Sequence, residues 1–202
     1  MRMFNSRFLC SIAVTITILT ISLPGSRAMA QSQEPWVIAS YQIAFPEGDT
    51  KEFIDATSFR GIGLEGRWFV SPNISAGVAV DWNVFFETTN NPIDIPHGTL
   101  SGEQNRTINA FPILATVHYY MGPDKMFYVG LGAGPYYMSQ RWDVGLYAFS
   151  NTSWHFGFAP EIGVSHEIAY HTRAVLGLQY HHAFESENTK LEYWALKLGV
   201  AY

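Results

Sequence analysis

The run ISAGVAVDWNVFF, residues 74–86, places Ile74, Ala76, Val78, Val80, Trp82, Val84 and Phe86 on one parity and Ser75, Gly77, Ala79, Asp81 and Asn83 on the other. A period of two is that of a strand, whose successive side chains point to opposite faces. One face is wholly apolar. The other is small or polar and carries a charge. The fold turns on which solvent each face meets.

The same alternation recurs in both directions along the chain. In WVIASYQIAF (36–45), Val37, Ala39, Tyr41, Ile43 and Phe45 oppose Ile38, Ser40, Gln42 and Ala44. In FRGIGLEGRWFV (59–70), Ile62, Leu64, Trp68 and Val70 oppose Gly61, Gly63, Glu65 and Arg67. In AFPILATVHYY (110–120), Phe111, Ile113, Ala115, Val117 and Tyr119 oppose Leu114, Thr116 and His118. In FYVGLGAGPYY (127–137), Phe127, Val129, Leu131, Ala133 and Tyr137 oppose Gly130, Gly132, Gly134 and Tyr136. FGFAPEIGV (156–164) sets Phe156, Phe158, Ile162 and Val164 against Gly157, Ala159, Glu161 and Gly163. AVLGLQYHHAF (174–184) sets Leu176, Leu178 and Tyr180 against Gly177, Gln179 and His181. LEYWALKLGVAY (191–202) closes the series, with Trp194, Leu196, Leu198, Val200 and Tyr202 against Tyr193, Ala195, Lys197, Gly199 and Ala201. Eight strands are therefore expected.

Their connections alternate in length. SPN (71–73), MGPDK (121–125) and a short piece around EIAYH (167–171) are tight, whereas longer polar loops are expected around 46–57, 87–106, 139–153 and 184–191. Short turns on one side and long loops on the other are the habit of outer-membrane barrels. Strands of about 9–11 residues cross a bilayer when tilted. No strand edge can stay open in hydrocarbon, so the last strand must close on the first. The fold class is all-β: an eight-stranded antiparallel up-and-down transmembrane β-barrel, with the apolar faces toward lipid and the small and polar faces toward the lumen. Aromatic residues are expected in two girdles, with Trp68, Tyr119, Phe127 and Tyr202 near the short turns and Trp82, Phe86, Phe111, Tyr137, Phe156 and Trp194 near the long loops.

The N-terminus is of another kind. Residues 1–30 carry Arg2 and Arg7, a largely apolar run from Phe8 to Leu23, and the small-x-small site Ala28-Met29-Ala30. That is the pattern of a cleavable signal peptide, expected to end at residue 30 and to leave a barrel domain at 31–202. The single cysteine, Cys10, falls inside the signal, so no disulfide staples the barrel. Removing the signal's three arginines leaves nine Lys/Arg against 17 Asp/Glu, a balance of −8 that speaks against nucleic acid as a partner.

The signal, SYQIAFPEGDTKEFI, FRGIGLEGRWFVSPNISAGVAVDWNVFF and the terminal LKLGVAY together resemble the small bacterial outer-membrane β-barrel domain proteins, of the OmpA-barrel and opacity-protein type. The resemblance covers essentially all of residues 31–202. It implies a location in the bacterial outer membrane with both mature termini in the periplasm, and a monomer. It also implies contact with lipid and lipopolysaccharide, and handling by periplasmic chaperones and the barrel-assembly machinery during biogenesis. Trp194, Leu196, Leu198, Val200 and Tyr202 match the family's C-terminal assembly pattern. With the barrel running to Tyr202, the peptidoglycan-binding activity of larger relatives is not expected.

The expected lumen set is Glu65, Arg67, Asp81, Asn83, His118, Glu161, Gln179 and Lys197. An eight-stranded barrel is only wide enough for side chains to fill it, and charges buried there must pair. Arg67 is expected to lie between Glu65 and Asp81, with Glu161 and Lys197 approaching from the opposite wall. A structural polar plug, with loops in surface contact, is the leading reading. The alternatives are a narrow channel for ions or a small apolar solute, and a lipid-A-modifying enzyme. The only enzyme candidates are His182 and Ser186, with no third group. Pro112, Pro135 and Pro160 lie within strands, where each removes a ladder donor, so a bulge or break is expected at each. GLGAGP (130–135) reads as lumen packing and not as a phosphate loop, for want of a following helix. His181 and His182 point to opposite faces and cannot chelate together. Glu47, Asp49, Glu52 and Asp55 read as a solvated acidic loop. No cofactor and no metal are expected.

Overall fold

The computed structural model describes residues 35–90, 93–95, 98–100, 103–145, 147–186 and 189–202. The expected signal at 1–30 lies outside these residues. The elements are β1 (Trp36–Pro46), α1 (Gly48–Phe53), β2 (Ser58–Ser71), β3 (Ile74–Thr89), β4 (Ile93–Ile95), β5 (Gly98–Leu100), β6 (Gln104–Met121), a 3₁₀ turn (Pro123–Lys125), β7 (Phe127–Val144), β8 (Tyr147–Ala169), β9 (Thr172–Ser186) and β10 (Thr189–Ala201). Eight strands close in the order β1-β10-β9-β8-β7-β6-β3-β2, every neighbour antiparallel. β4 and β5 form a separate two-stranded hairpin.

Closure is made by β1 and β10, paired from Ile38↔Ala201 to Pro46↔Tyr193. It is continued by reciprocal Val37–Tyr202 backbone bonds of 2.8 and 2.9 Å. Closing the ring removes the edges that hydrocarbon does not tolerate. The faces fall as the alternation dictates. Ile62, Leu64, Trp68 and Val70 are exposed on the outside of β2, as are Val78, Trp82 and Phe86 on β3 and Phe156 and Ile162 on β8. Such a continuous apolar belt is stable only against lipid.

The prolines break ladders without shifting register. The β3–β6 pairing skips between Val80↔Ile113 and Asn83↔Ala110, beside Pro112. The β6–β7 pairing skips between Pro112↔Tyr136 and Ala115↔Ala133, beside Pro135. The β8–β9 pairing skips between Phe158↔His182 and Glu161↔Gln179, beside Pro160. Each interruption lies on one side of its proline and none is a bulge. A missing N–H deletes bonds to one neighbour only, so the other ladder carries the strand through.

Two expected loops are largely strand. β7 and β8 stay paired from Phe127↔Val164 to Val144↔Tyr147, so 139–153 is a hairpin extension that turns at Gly145 (φ +57). β9 and β10 reach Ser186 and Thr189, leaving only 187–188 between them. Past the apolar belt neither face meets lipid. The hydrophobic alternation therefore stops, while backbone pairing does not.

Candidate functional site: a layered lumen

The inward parity of the strands fills the barrel in layers. At the end that holds the chain terminus and the short turns, Trp36, Phe69 and Tyr120 form a ring cluster with centroids 4.9–5.4 Å apart. Lys125 Nζ sits 3.5 Å from the Phe69 ring centre, and the Arg173 guanidinium lies over Trp36 at 5.0 Å. These contacts place two cations on aromatic faces, where the ring quadrupole attracts them.

The next layer is charged. Arg67 donates from Nε to Glu65 Oε1 (2.8 Å) and from Nη2 to Glu65 Oε2 (2.9 Å), a bidentate pair. It also donates to Glu161 Oε1 (3.4 Å) and to Tyr120 OH (3.0 Å). Lys197 Nζ bridges Glu65 Oε2 (3.3 Å) and Glu161 Oε2 (3.2 Å). Tyr128 OH donates to Glu161 Oε1 (2.6 Å) and Thr116 Oγ1 to Glu65 Oε1 (3.3 Å). His118 Nε2 lies 3.5 Å from Glu65 Oε1 and 3.8 Å from Glu161 Oε2. Glu65, Arg67, His118, Glu161 and Lys197 are all at most 3% exposed. Two carboxylates thus face two basic side chains, the balance that buried charges need. The Glu65, His118 and Glu161 donor atoms lie within 4.8 Å of one another, a spacing a metal ion could use. Arg67, Lys197, Tyr128 and Thr116 already engage all four carboxylate oxygens, however, and a metal would stand against two cations.

Inward glycines make room for this layer. A Cβ on Gly130 would lie 2.2 Å from His118 Cδ2, and one on Gly163 would lie 2.4 Å from the Tyr128 hydroxyl. The glycine series of β7 serves packing.

Asp81 is not where it was expected. It does not touch Arg67; its Oδ1 accepts from Gln42 Nε2, and Gln42 Oε1 accepts from Asn83 Nδ2 (2.9 Å). The cause is register. Asp81 pairs with Gly63, whereas Arg67 pairs with Gly77, four residues away along β3. At a rise of about 3.3 Å per residue the two are roughly 13 Å apart along the strand. Gln179 is buried opposite Glu161, and its Oε1 has no hydrogen-bond partner among the described residues. It stands beside the cluster without joining it. Gln42, Tyr120 and Tyr128 were missed as members, although their inward parity was readable from Tyr41, Tyr119 and Val129.

Toward the loop end, His181 stacks on Tyr193 at 4.4 Å and 9°, with Tyr136 OH 3.1 Å from His181 Nδ1. Above them α1 turns into the barrel mouth. Ile54 is fully buried and packs with Phe85, Ile108, Leu191 and Tyr193. Arg106 Nη1 holds Phe53 O (3.0 Å), Asp55 N donates to Glu87 Oε2 (2.9 Å), and Glu192 N donates to Thr50 Oγ1 (2.8 Å). Glu47, Asp49, Glu52 and Asp55 do not gather into a ligand cluster; Asp55 pairs with Lys51 at 3.6 Å.

The enzyme candidates separate. His182 Nδ1 meets Glu192 Oε1 at 2.8 Å on the outer face, an orienting acid absent from the sequence reading. Ser186 is engaged through its carbonyl, which accepts from Thr189 Oγ1, and no contact joins it to His182. A second pair appears inside the barrel. His155 Nδ1 donates to the Phe184 carbonyl (3.0 Å), which leaves Nε2 to accept from Ser153 Oγ (2.7 Å). Both side chains are packed in the wall with no acid behind them. The C-terminal set lies on the outer face of β10, with Trp194, Leu198, Val200 and Tyr202 exposed and Leu196 half-buried.

The outer membrane protein beta-barrel domain model matches residues 15–202. The chain belongs to that family. Membership of this outer-membrane barrel family places the protein in the outer membrane and makes lipid its solvent. Its architecture is similar to Ail, the attachment invasion locus protein of Yersinia pestis, at 10% identity over 85% of this chain and 100% of that one, TM-score 0.53. It is equally similar to the outer membrane protein OprG from Pseudomonas aeruginosa, at 15% identity over 85% and 96%, TM-score 0.53. At such identities the likeness is one of fold. No curated protein matches the chain.

Proposed function

We propose that this outer-membrane barrel is a sealed, non-enzymatic structural protein that works through its loop end. The observation that carries the reading is the filled lumen. The aromatic cluster at the terminal end, the Glu65–Arg67–Glu161–Lys197 cluster and the inserted Ile54 succeed one another along the axis. What remains for function is the surface. The β7–β8 hairpin runs past the Gly157↔Ala183 pair where β8 first meets β9, and it bears exposed Tyr147 and Phe149. Contact sites concentrate on such projecting elements carried by a rigid scaffold.

In this reading the signal is removed at residue 30, both termini face the periplasm and the hairpins face outward. The barrel works as a monomer, and the strand ending in Tyr202 is read by the assembly machinery. The Ser153–His155 and His182–Glu192 pairs serve packing and interface roles.

Single-channel recording of the refolded protein tests the seal. Wild type is expected to show no conductance, and Arg67→Ala to show a leak. A stable, charge-selective wild-type conductance would favour the channel reading instead.

A further inference from the structure

Most outward positions of the barrel are apolar, and besides the paired His182 and Glu192 a polar group of them lies near the loop end of β2, β3 and β6. The inward parity of β2 passes from Gly61 to Ser58, because the β1–β2 register shifts between Gln42 and Ala44. The bulge turns both Phe59 and Arg60 outward. Arg60 stands one step past the Gly61↔Asn83 pair, beside Val84, and Val84 pairs on its other side with Asn109. Asn109 is also outward, between buried Ile108 and Ala110. A cation and an amide therefore flank Val84 at one level of the wall, among Tyr41, Trp82 and Phe86.

Between them runs a surface groove of about 440 Å³, lined by Tyr41, Arg60, Ile62, Trp82, Val84 and Asn109. Its polar groups leave a definite remainder. Trp82 Nε1 donates to Asn109 Oδ1 (3.4 Å), which leaves the Asn109 amide hydrogens without an acceptor among the described residues. The Tyr41 hydroxyl donates to Phe59 O. Beside the Arg60 guanidinium is the Phe86 ring at 5.8 Å, and no carboxylate of the described residues pairs with it. The remainder is an uncompensated cation, a pair of amide hydrogens and an apolar floor, all on the lipid side of the wall. A charge in that position is costly unless something anionic meets it.

We infer that this groove holds one lipid of the surrounding leaflet by its phosphate, with Arg60 and Asn109 as donors and an acyl chain along Ile62 and Val84. Guanidinium matches phosphate by charge and by fork geometry. A phosphomonoester carries close to two charges and three acceptor oxygens, whereas a zwitterionic phospholipid brings its own ammonium. The occupant is therefore a phosphomonoester-bearing glycolipid of the lipid A class, and this choice rests on the loop end facing outward.

The test is native mass spectrometry of the purified, detergent-folded barrel incubated with bisphosphorylated lipid A or with phosphatidylcholine. Wild type is expected to retain lipid A preferentially. Arg60→Gln is expected to lower retention roughly tenfold, the loss of a charge-assisted contact. Arg60→Lys keeps part of the binding and Asn109→Leu loses less than Arg60→Gln. Arg141→Gln, which removes an exposed cation already bonded to Asp143, leaves it unchanged. Folding of each variant is checked by heat-modifiable migration. Equal retention by wild type and Arg60→Gln, equal retention of both lipids, or displacement by millimolar inorganic phosphate each overturns the proposal. So does an Arg60-dependent dimer without lipid, which would make a second copy the occupant. Micelles have no inside or outside, so failure here is distinct from failure of the orientation, which cysteine labelling of whole cells reads separately.

Discussion

Arg67 holds Glu65 by two bonds and reaches Glu161 across the lumen. Arg67→Ala leaves two carboxylates facing Lys197 alone in a buried site. Removing one partner of such a group costs ~3–5 kcal/mol. The urea midpoint of the variant in lipid vesicles should fall accordingly. Arg67→Met combined with Glu65→Gln removes one charge of each sign and leaves Glu161 with Lys197, so this double variant should be more stable than the single. The reverse order would show that charge balance does not organise the layer. Lys125 offers a second check at this scale. It lies in the short turn after β6, where partial burial and the nearby Arg173 charge lower its pKa to about 8. The unfolded chain, with an ordinary lysine, then binds more protons than the folded one between about pH 8 and 10.5. Stability should rise with pH across that window. The group is only partly buried, so the slope is shallow. Lys125→Met should flatten it, as denaturant titrations at pH 7.5, 9 and 10.5 would read.

Among the elements, β10 serves two ends. Its inward Tyr193 is buried, stacked on His181 and in edge contact with Phe85. Its outward Tyr202 is 77% exposed at the closing seam. Tyr193→Ala should lower the stability of the folded barrel by ~3–5 kcal/mol, the cost of an aromatic cavity. Tyr202→Ala removes little packing. It should instead lower the amount inserted in the outer membrane, and do so more than Tyr193→Ala. Unfolding midpoints and outer-membrane yields, measured on both variants, separate the effects. Equal yields for Tyr202→Ala and wild type would remove the last residue from the assembly pattern. The short connections behaved as read from sequence. The expected loops at 139–153 and 184–191 did not, because polar residues such as Gln140, Arg141 and Asp143 mark the end of the membrane and not the end of the strand.

For the whole molecule, orientation is the property to test. An even number of strands puts both ends of the barrel domain on one side, and the longer connections of this class face outward. Protease added to intact cells should cut first within residues 87–106, whereas the α1 connection is shielded by its contacts with Arg106 and Glu87. Cuts confined to residues 71–73 or 121–125 would invert the barrel.

The sequence by itself determined the period, the faces and the strand count. Alternation is a property of the local backbone, so Ile74 to Phe86 could be sorted without knowing any neighbour. Glu65, Arg67, Glu161 and Lys197 were legible for the same reason, whereas Lys125 and Arg173, which flank the aromatic layer, were not, because they lie in or beside turns where the alternation gives no parity. Which lumen residues meet was decided only by the tertiary structure. Closure and register bring Glu161 of β8 to Arg67 of β2, 94 positions away in the chain, while Asp81 on the adjacent strand is held roughly four residues out of reach. The same holds for Ile54. Nothing in an acidic connection marks one isoleucine as the stopper of a barrel. It becomes one because α1 turns inward at the rim, where Phe85, Ile108 and Tyr193 leave an apolar seat. Parity is written residue by residue; partnership across a closed ring depends on how all eight strands are staggered at once.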